Sequence, residues 1–310
     1  MNAIQRSKEY FFQYGLPMLE KNFPEVLPYI AAGLTGYGSE SLGYDDEYSY
    51  DHDTKNGFML FLDSTAYLSF GSKLTSAYTK LLKEHPPLLN KSQNSLMGQS
   101  EIGVQEISQF LRRHIGLESS PKSYQEWLYT PEYALLECIN GEIFLDNFGT
   151  FTALRQEIAY NMPEDVRLKK LAARAAFMAQ TGQYNYSRCL KHKEVAAAKI
   201  ALAQFAEHTA GMVFLLNRKY TPYYKWMFKG MRELPILSSI HENLEFLLCG
   251  HETPDVNIQI IEDIANQIIA ELHRQNLSQT KDTYLEHHAV EVTKKIQNRE
   301  IAQLHILVGV

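Results

Sequence analysis

IAAGLTGYGSESLGYDDEYSYDHDTKNGFMLFLD, residues 30–63, is the stretch on which the fold turns. The apolar run Ile30 to Leu34 reads as a buried strand that closes in a glycine-rich turn, Gly36-Tyr37-Gly38-Ser39. Eleven residues separate Ser39 from Asp51-His52-Asp53, and a second apolar run, Phe58 to Leu62, follows. Residues two apart in a strand share a face, so this reading sets Asp51 and Asp53 side by side and turns His52 away as a packing histidine. Two adjacent carboxylates repel, and a hard divalent cation with oxygen ligands relieves that repulsion. Gly38 permits close approach of the backbone, and the Ser39 amide and hydroxyl suit phosphate oxygens. The competing reading is a solvated acidic loop, because Glu40, Asp45, Asp46 and Glu47 crowd the same excursion. The strand-like GFMLFL directly after it argues against that reading; one of these acids is expected to hold the loop by capping amides or pairing a base, and most of them to be solvated.

Around this stretch the chain runs to 310 residues with 45% hydrophobic content, enough for two domains with proper cores. A net charge of −6 argues against a general nucleic-acid binder, which needs a broad basic surface. Cys138, Cys189 and Cys249 lack C-x-x-C spacing and read as reduced, buried thiols. No signal-like or membrane-length apolar run is seen, so the expectation is a soluble cytoplasmic protein without membrane contact.

Residues 2–22 have helical spacing, ended by Asn22-Phe23-Pro24. Segment 64–84 reads as a helix stopped by Pro86-Pro87, 97–104 as a short strand, and 105–115 as a helix. A further helix over 123–140 is interrupted at Pro131, and EIFLD (142–146) is a last strand. Beyond residue 150 the periodicity is helical throughout, in segments 152–161, 163–181, 183–217, 231–249 and 256–276, with Thr181-Gly182 as one of the breaks. Alanine density over 171–210 suits closely packed helices. The C-terminal LHILVGV is either packed on its own domain or self-associating in a homodimer. The adjacent His287-His288 reads as surface. The expected division is 1–150 for the sheet domain and 151–310 for the helical one.

The G-S-x11-D-x-D frame resembles the signature of the polymerase-beta-type nucleotidyltransferase superfamily, and the layout is similar to its aminoglycoside- and lincosamide-modifying members. More narrowly, GYGSESLGYDDEYSYDHD (36–53), EWL and PE (126–132), GEIFLDNFGTFTALR (141–155), NYSRC (185–189) and RKYTPYYKW (218–226) resemble an uncharacterised bacterial family with a domain of unknown function in its C-terminal half. The resemblance implies an α+β fold: an N-terminal nucleotidyltransferase-type mixed sheet with helices, followed by a C-terminal all-α helical bundle. It also implies Mg²⁺ or Mn²⁺ as cofactor, an NTP as substrate, and an acceptor that it does not name.

On that resemblance Asp51 and Asp53 are the metal ligands, and a third carboxylate completes the set. Glu101 fits by strand order, and Asp146, ending EIFLD, is the other candidate. Gly38 and Ser39 are expected at the nucleotide phosphates. Arg188 and Lys225 are cation candidates for the triphosphate, and Tyr223 for stacking on the base. Glu194, read on the same helical face as Arg188, is the base for an acceptor hydroxyl by analogy with the antibiotic-modifying relatives. The alternative function is a non-catalytic nucleotide-binding module, for instance one half of a toxin–antitoxin or regulatory pair.

Overall fold

The computed structural model describes residues 1–50, 57–87, 102–250 and 253–310, with Tyr50 through its backbone alone. The chain opens with helix α1 (Ala3–Tyr10), which passes through a π-helical turn (Phe11–Gly15) into α2 (Leu16–Asn22). Strand β1 (Ala31–Leu34) leads to a short helix α3 (Ser39–Leu42). Next come β2 (Met59–Leu62), α4 (Ser64–Glu84), β3 (Gly103–Glu106) and α5 (Ile107–Ile115). Helices α6 (Tyr124–Tyr129) and α7 (Glu132–Ile139) are parted at Thr130-Pro131, and β4 (Glu142–Asp146) and α8 (Thr150–Tyr160) follow. From there the described residues are helical without strands: α9 (Glu164–Met178), α10 (Ser187–Lys191), α11 (Val195–Leu216), α12 (Tyr224–Met231), α13 (Ile240–Cys249), α14 (Pro254–Arg274), α15 (Leu285–Thr293) and α16 (Arg299–Gln303).

Two compact units result. One comprises 1–122 and 134–161, and the other comprises 123–133 and 162–310. The division thus falls near residue 161 instead of 150, because α8 packs on β4, and residues 123–133 join the helical unit through α6 against α9.

In the first unit the four strands form a mixed sheet in the order β3-β2-β1-β4. β1 is antiparallel to both β2 and β4, and β2 is parallel to β3. All four residues of β1 and of β2 are buried, which explains their uninterrupted apolar character. A bulge at Ala32/Gly33 breaks the β1–β4 register. Gly33 is required there, since a β-carbon would sit 2.5 Å from the Glu142 carbonyl. Phe58 fills the core beneath α1 and α4, edge-on to Phe11 at 5.2 Å and to Tyr78 at 4.9 Å. Gly15 in the π-helical turn makes room for the Phe58 ring, which would lie 2.5 Å from a β-carbon there.

In the second unit α9 packs on α11 and α15. Buried Ala172, Ala173, Ala175 and Ala176 on α9 and Ala198, Ala201, Ala206 and Ala210 on α11 carry the close approach expected from the alanine density. The break expected at Thr181-Gly182 is absent. The helix continues through a π-helical run, Ala179–Tyr186, because the bare Gly182 backbone accommodates the Phe205 ring, 2.3 Å from where its β-carbon would be. The interruption comes instead at Lys193, whose φ of 63° ends the helix before α11 starts. His288 is likewise no surface residue: it is fully buried, bonded through Nδ1 to Ser278 Oγ (2.9 Å) and through Nε2 to the Asp282 carbonyl (2.8 Å). Among the cysteines only Cys138 is buried, and Cys249 is exposed; none of the three forms a disulfide. Among the described residues no helix is long and apolar enough to cross a membrane.

Candidate functional site

The strand registers define two ends of the sheet. Leu34, Met59, Gly103 and Glu142 mark one end; Ala31, Leu62, Glu106 and Asp146 mark the other. The first end is where the glycine-serine turn leaves β1 and where β2 and β3 begin. Gly36 and Gly38 adopt φ of 101° and 95°, conformations that disfavour any side chain. No atom lies within 4 Å of a β-carbon built on Gly38, so backbone conformation and not crowding selects glycine there.

Around this turn the protein commits several polar groups. The buried Asn140, just after α7, accepts from Thr35 Oγ1 (3.0 Å) and Gly36 N (2.9 Å) and donates to the Gly36 carbonyl (2.7 Å). Arg155 of α8 donates to the carbonyls of Cys138 (3.3 Å), Ile139 (2.6 Å) and Asn140, fixing the end of α7 that carries Asn140. Ser39, at the start of α3, donates its hydroxyl to Ser49 Oγ at 3.1 Å.

Glu40, Asp45 and Asp46 of the excursion are structural. Asp46 accepts from the amides of Tyr48 (3.0 Å) and Ser49 (3.1 Å). Asp45 accepts from Ala3 N (3.0 Å) and Arg6 (3.5 Å), and Glu40 lies 4.0 Å from the same arginine. With Glu40 at 3% exposure and the Asp45 side chain at 1%, this part of the excursion is not a solvated acidic loop. The expectation that an acid holds the loop by capping amides or pairing a base is met, through Asp46 and Asp45; solvation extends to Asp46 and Glu47 and not to Glu40 and Asp45.

Asp51, Asp53 and Glu101 lie outside the described residues. β2 begins at Met59, six positions after Asp53, and the shared strand face read for the pair lies with it outside the described residues. Tyr78 of α4 donates its hydroxyl to the Phe58 carbonyl (2.9 Å) and accepts from Phe58 N (3.0 Å). Burial pushes this phenol well above its ordinary range, so it stays a donor at any physiological pH. Gly57, with φ of 135°, lies against both Tyr78 and Ile102, whose Cγ2 would be 3.0 Å from a Gly57 β-carbon. Asp53 is four residues before Gly57 in the chain, and Glu101 directly precedes Ile102.

Asp146 is at the opposite end of the sheet, paired with Ala31, three residues or about 10 Å along β1 from Leu34. Its carboxylate accepts from Gly149 N (3.0 Å) and Thr152 N (2.7 Å), capping the start of α8.

In the helical unit Arg188 is exposed, with its guanidinium 5.5 Å from the Tyr184 ring centroid, and Lys225 is exposed, 5.3 Å from the Trp226 ring. The single helical face read for Arg188 and Glu194 does not exist: α10 ends at Lys191, the chain turns at Lys193, and Glu194 precedes α11. Tyr223 lines a cavity of about 560 Å³ together with three charged residues that the sequence did not flag, Glu132, Lys170 and Arg174. All three are buried. Glu132 pairs with Arg174 at 2.9 Å, sits 3.9 Å from Lys170, and accepts from Thr221 through Oγ1 (2.7 Å) and N (3.3 Å). Burial alone would push the Glu132 carboxyl up; Arg174, Lys170 and the hydrogen bonds outweigh it and hold it below the usual range. The missed signal is R-x-K-K-x-x-x-R at 167–174, a density of cations that a helix buried on nearly every side does not carry without partners. Among the described residues no group of three or more His, Cys, Asp or Glu side chains is set to hold a metal.

A family described as a domain of unknown function, DUF4037, matches residues 127–227, a span that contains Glu132, Lys170, Arg174 and Tyr223. Among solved structures, a nucleotidyltransferase-like protein from Exiguobacterium sibiricum 255-15 is similar at 13% identity, over 91% of this chain and 80% of that one, with a TM-score of 0.39. No curated protein matches.

Proposed function

We propose that the chain is a metal-dependent nucleotidyltransferase, moving a nucleoside monophosphate from an NTP to a hydroxyl or phosphate oxygen of a small-molecule or protein acceptor. The acceptor oxygen attacks the α-phosphorus and pyrophosphate leaves. One observation carries the reading. The glycine-serine turn after β1, the Gly57-Phe58 lead into β2, and the start of β3 share one end of the sheet, and the sequence attaches Asp51, Asp53 and Glu101 to those segments. Three carboxylates are hard oxygen donors, a set that suits Mg²⁺ or Mn²⁺. When bound, such an ion offsets the charge of the triphosphate and the leaving pyrophosphate.

In this reading the backbone around Gly38 and Ser39 takes phosphate oxygens, and Asn140 and Arg155 hold that turn in place. For Arg188, Tyr223 and Lys225 the proposal keeps nucleotide contact, and for Glu194 the acceptor base, on the sequence resemblance alone. Asp146 drops out of the set because its carboxylate already serves two backbone amides.

The test has two parts. Calorimetry with each NTP and Mg²⁺ should show metal-dependent binding that the Asp51→Asn/Asp53→Asn double variant loses. Mass spectrometry after incubation with labelled NTP and a metabolite extract should show a nucleotidylated product. Unchanged nucleotide binding in the double variant sinks the site. Binding without any transfer product favours a non-catalytic nucleotide-binding or regulatory module.

A further inference from the structure

The cavity of the helical unit has a construction that helix packing does not require. Three cationic side chains of α9, Lys169, Lys170 and Arg174, are buried within six positions of one another. Glu132 is the one buried carboxylate that pairs with any of them among the described residues. Lys169 is satisfied by the carbonyls of Leu304 (3.0 Å) and His305 (2.7 Å), outside the cavity lining. Lys170 and Arg174 line the cavity, and their donors outnumber the acceptors that engage them. A lysine and an arginine carry eight N–H donors between them. Against these stand Glu132, whose second oxygen is already taken by Thr221, and the Gly309 carbonyl, 3.1 Å from Lys170 Nζ. Arg174 Nε has no hydrogen-bond partner at all. Buried donors left over in this way favour an acceptor-rich group.

The mouth has a different chemistry. Tyr129, Tyr133 and Tyr223 line it and are exposed at 61%, 41% and 49%, with Tyr133 and Tyr223 edge-on at 5.8 Å. Rings left in water beside a cavity offer faces to a flat ligand. Glu207, exposed on α11, is the other carboxylate of the lining and repels any ligand with several negative groups. A volume of about 560 Å³ lies within the range of ligand pockets, roughly 300–1,000 Å³.

We propose that this cavity binds a small molecule that joins one oxyanion, a carboxylate or a phosphate, to a planar ring. The oxyanion sits at Lys170 and Arg174, and the ring lies against the tyrosines. Apart from Tyr223, for which a nucleotide contact is proposed above, this site uses none of the residues of the transfer chemistry, and its test needs no NTP.

Four probes separate the contributions: phenyl phosphate, benzoate, inorganic phosphate and benzyl alcohol, titrated into the full-length protein by calorimetry and saturation-transfer NMR. One ring-bearing anion is expected to bind at least tenfold more tightly than inorganic phosphate and than benzyl alcohol, and whether that is phenyl phosphate or benzoate assigns phosphate or carboxylate. Lys170→Met should weaken it roughly ten- to a hundredfold, the cost of one charge-assisted contact. Because Lys170 is buried, Tyr223→Ala provides a variant at an exposed position; it should weaken the ring-bearing probe and leave inorganic phosphate unchanged. Equal affinity for all four probes, no binding of either ring-bearing anion at millimolar concentration, or unchanged affinity in a folded Tyr223→Ala each overturns the proposal.

Discussion

The carboxamide of Asn140 holds Gly36 from both sides: Oδ1 accepts from Gly36 N at 2.9 Å and Nδ2 donates to the Gly36 carbonyl at 2.7 Å. The opposite orientation of the amide would set donor against donor, so the network fixes it. Residues 104 apart in sequence are thereby locked at the turn that carries Gly38 and Ser39. Asn140→Ala takes the donor from the Gly36 carbonyl, while Gly36 N keeps the Glu137 carbonyl at 3.1 Å, and should cost about 1–3 kcal/mol. Urea unfolding measures this, and a loss below about 0.5 kcal/mol would mean that water replaces the amide.

Gly211 of α11 sits under the Arg174 guanidinium, so closely that a β-carbon would lie 2.1 Å from Nη1. An alanine in a helix interior gains about 1 kcal/mol over glycine. Here it displaces Arg174 from Glu132, and breaking a buried pair costs about 3–5 kcal/mol. Gly211→Ala should therefore destabilise by about 2–4 kcal/mol net. In an Arg174→Met/Glu132→Gln background the same substitution should be close to neutral. Equal cost in both backgrounds would place the clash elsewhere.

Burial and the adjacent Arg174 push the His208 imidazole down to about 4, where 6.5 is ordinary; its ring stacks on Phe177 at 4.4 Å, and Nδ1 has no partner. Between those two values the unfolded chain binds the proton and the folded protein does not. Stability from this group is complete above pH 6.5 and falls as the pH drops toward 4, by on the order of 3 kcal/mol. His208→Gln should flatten the stability–pH curve in that window. A curve of unchanged slope in the variant would assign the acid sensitivity to other groups.

The two central strands, β1 and β2, were legible because they are short, wholly buried apolar runs, and a run such as FMLFL has one economical use. Helix limits were legible where proline or a capping side chain intervened, as at Pro131 and Asp63. Gly182 misled because a glycine inside a helical pattern reads as a break unless its neighbour is known, and the neighbour is Phe205, 23 residues on. Lys193, which does turn the chain, takes the left-handed position that closes α10, with its own N on the Leu190 carbonyl and Glu194 N on that of Cys189, a place the sequence marks by glycine or asparagine and not by lysine. The acids of the excursion carry the same lesson. Asp45 and Glu40 read as solvated because their partners, Ala3 N and Arg6, lie some forty residues upstream. The charged lining of the helical cavity was hidden for a similar reason: Glu132, Arg174 and Thr221 meet across 89 residues of chain.

Glu101 and Asp146 competed in the sequence for one role, and the sheet puts Asp146 at the end opposite the start of β3. Asp146 ends β4 beside Ala31 and gives both carboxylate oxygens to the amides that open α8. Glu101 immediately precedes the segment that begins β3 beside Met59, at the end of the sheet where the glycine-serine turn leaves β1. Losing a capping carboxylate costs about 0.5–2 kcal/mol of stability. Losing a charged contact to a metal–nucleotide complex weakens binding roughly tenfold or more. Asp146→Ala should therefore unfold at lower urea and bind Mg-NTP as the wild type does. Glu101→Gln should unfold as the wild type does and bind Mg-NTP at least about tenfold more weakly. Calorimetry and urea unfolding on the two variants, side by side, decide the matter, and the reverse pattern would return the third carboxylate to Asp146.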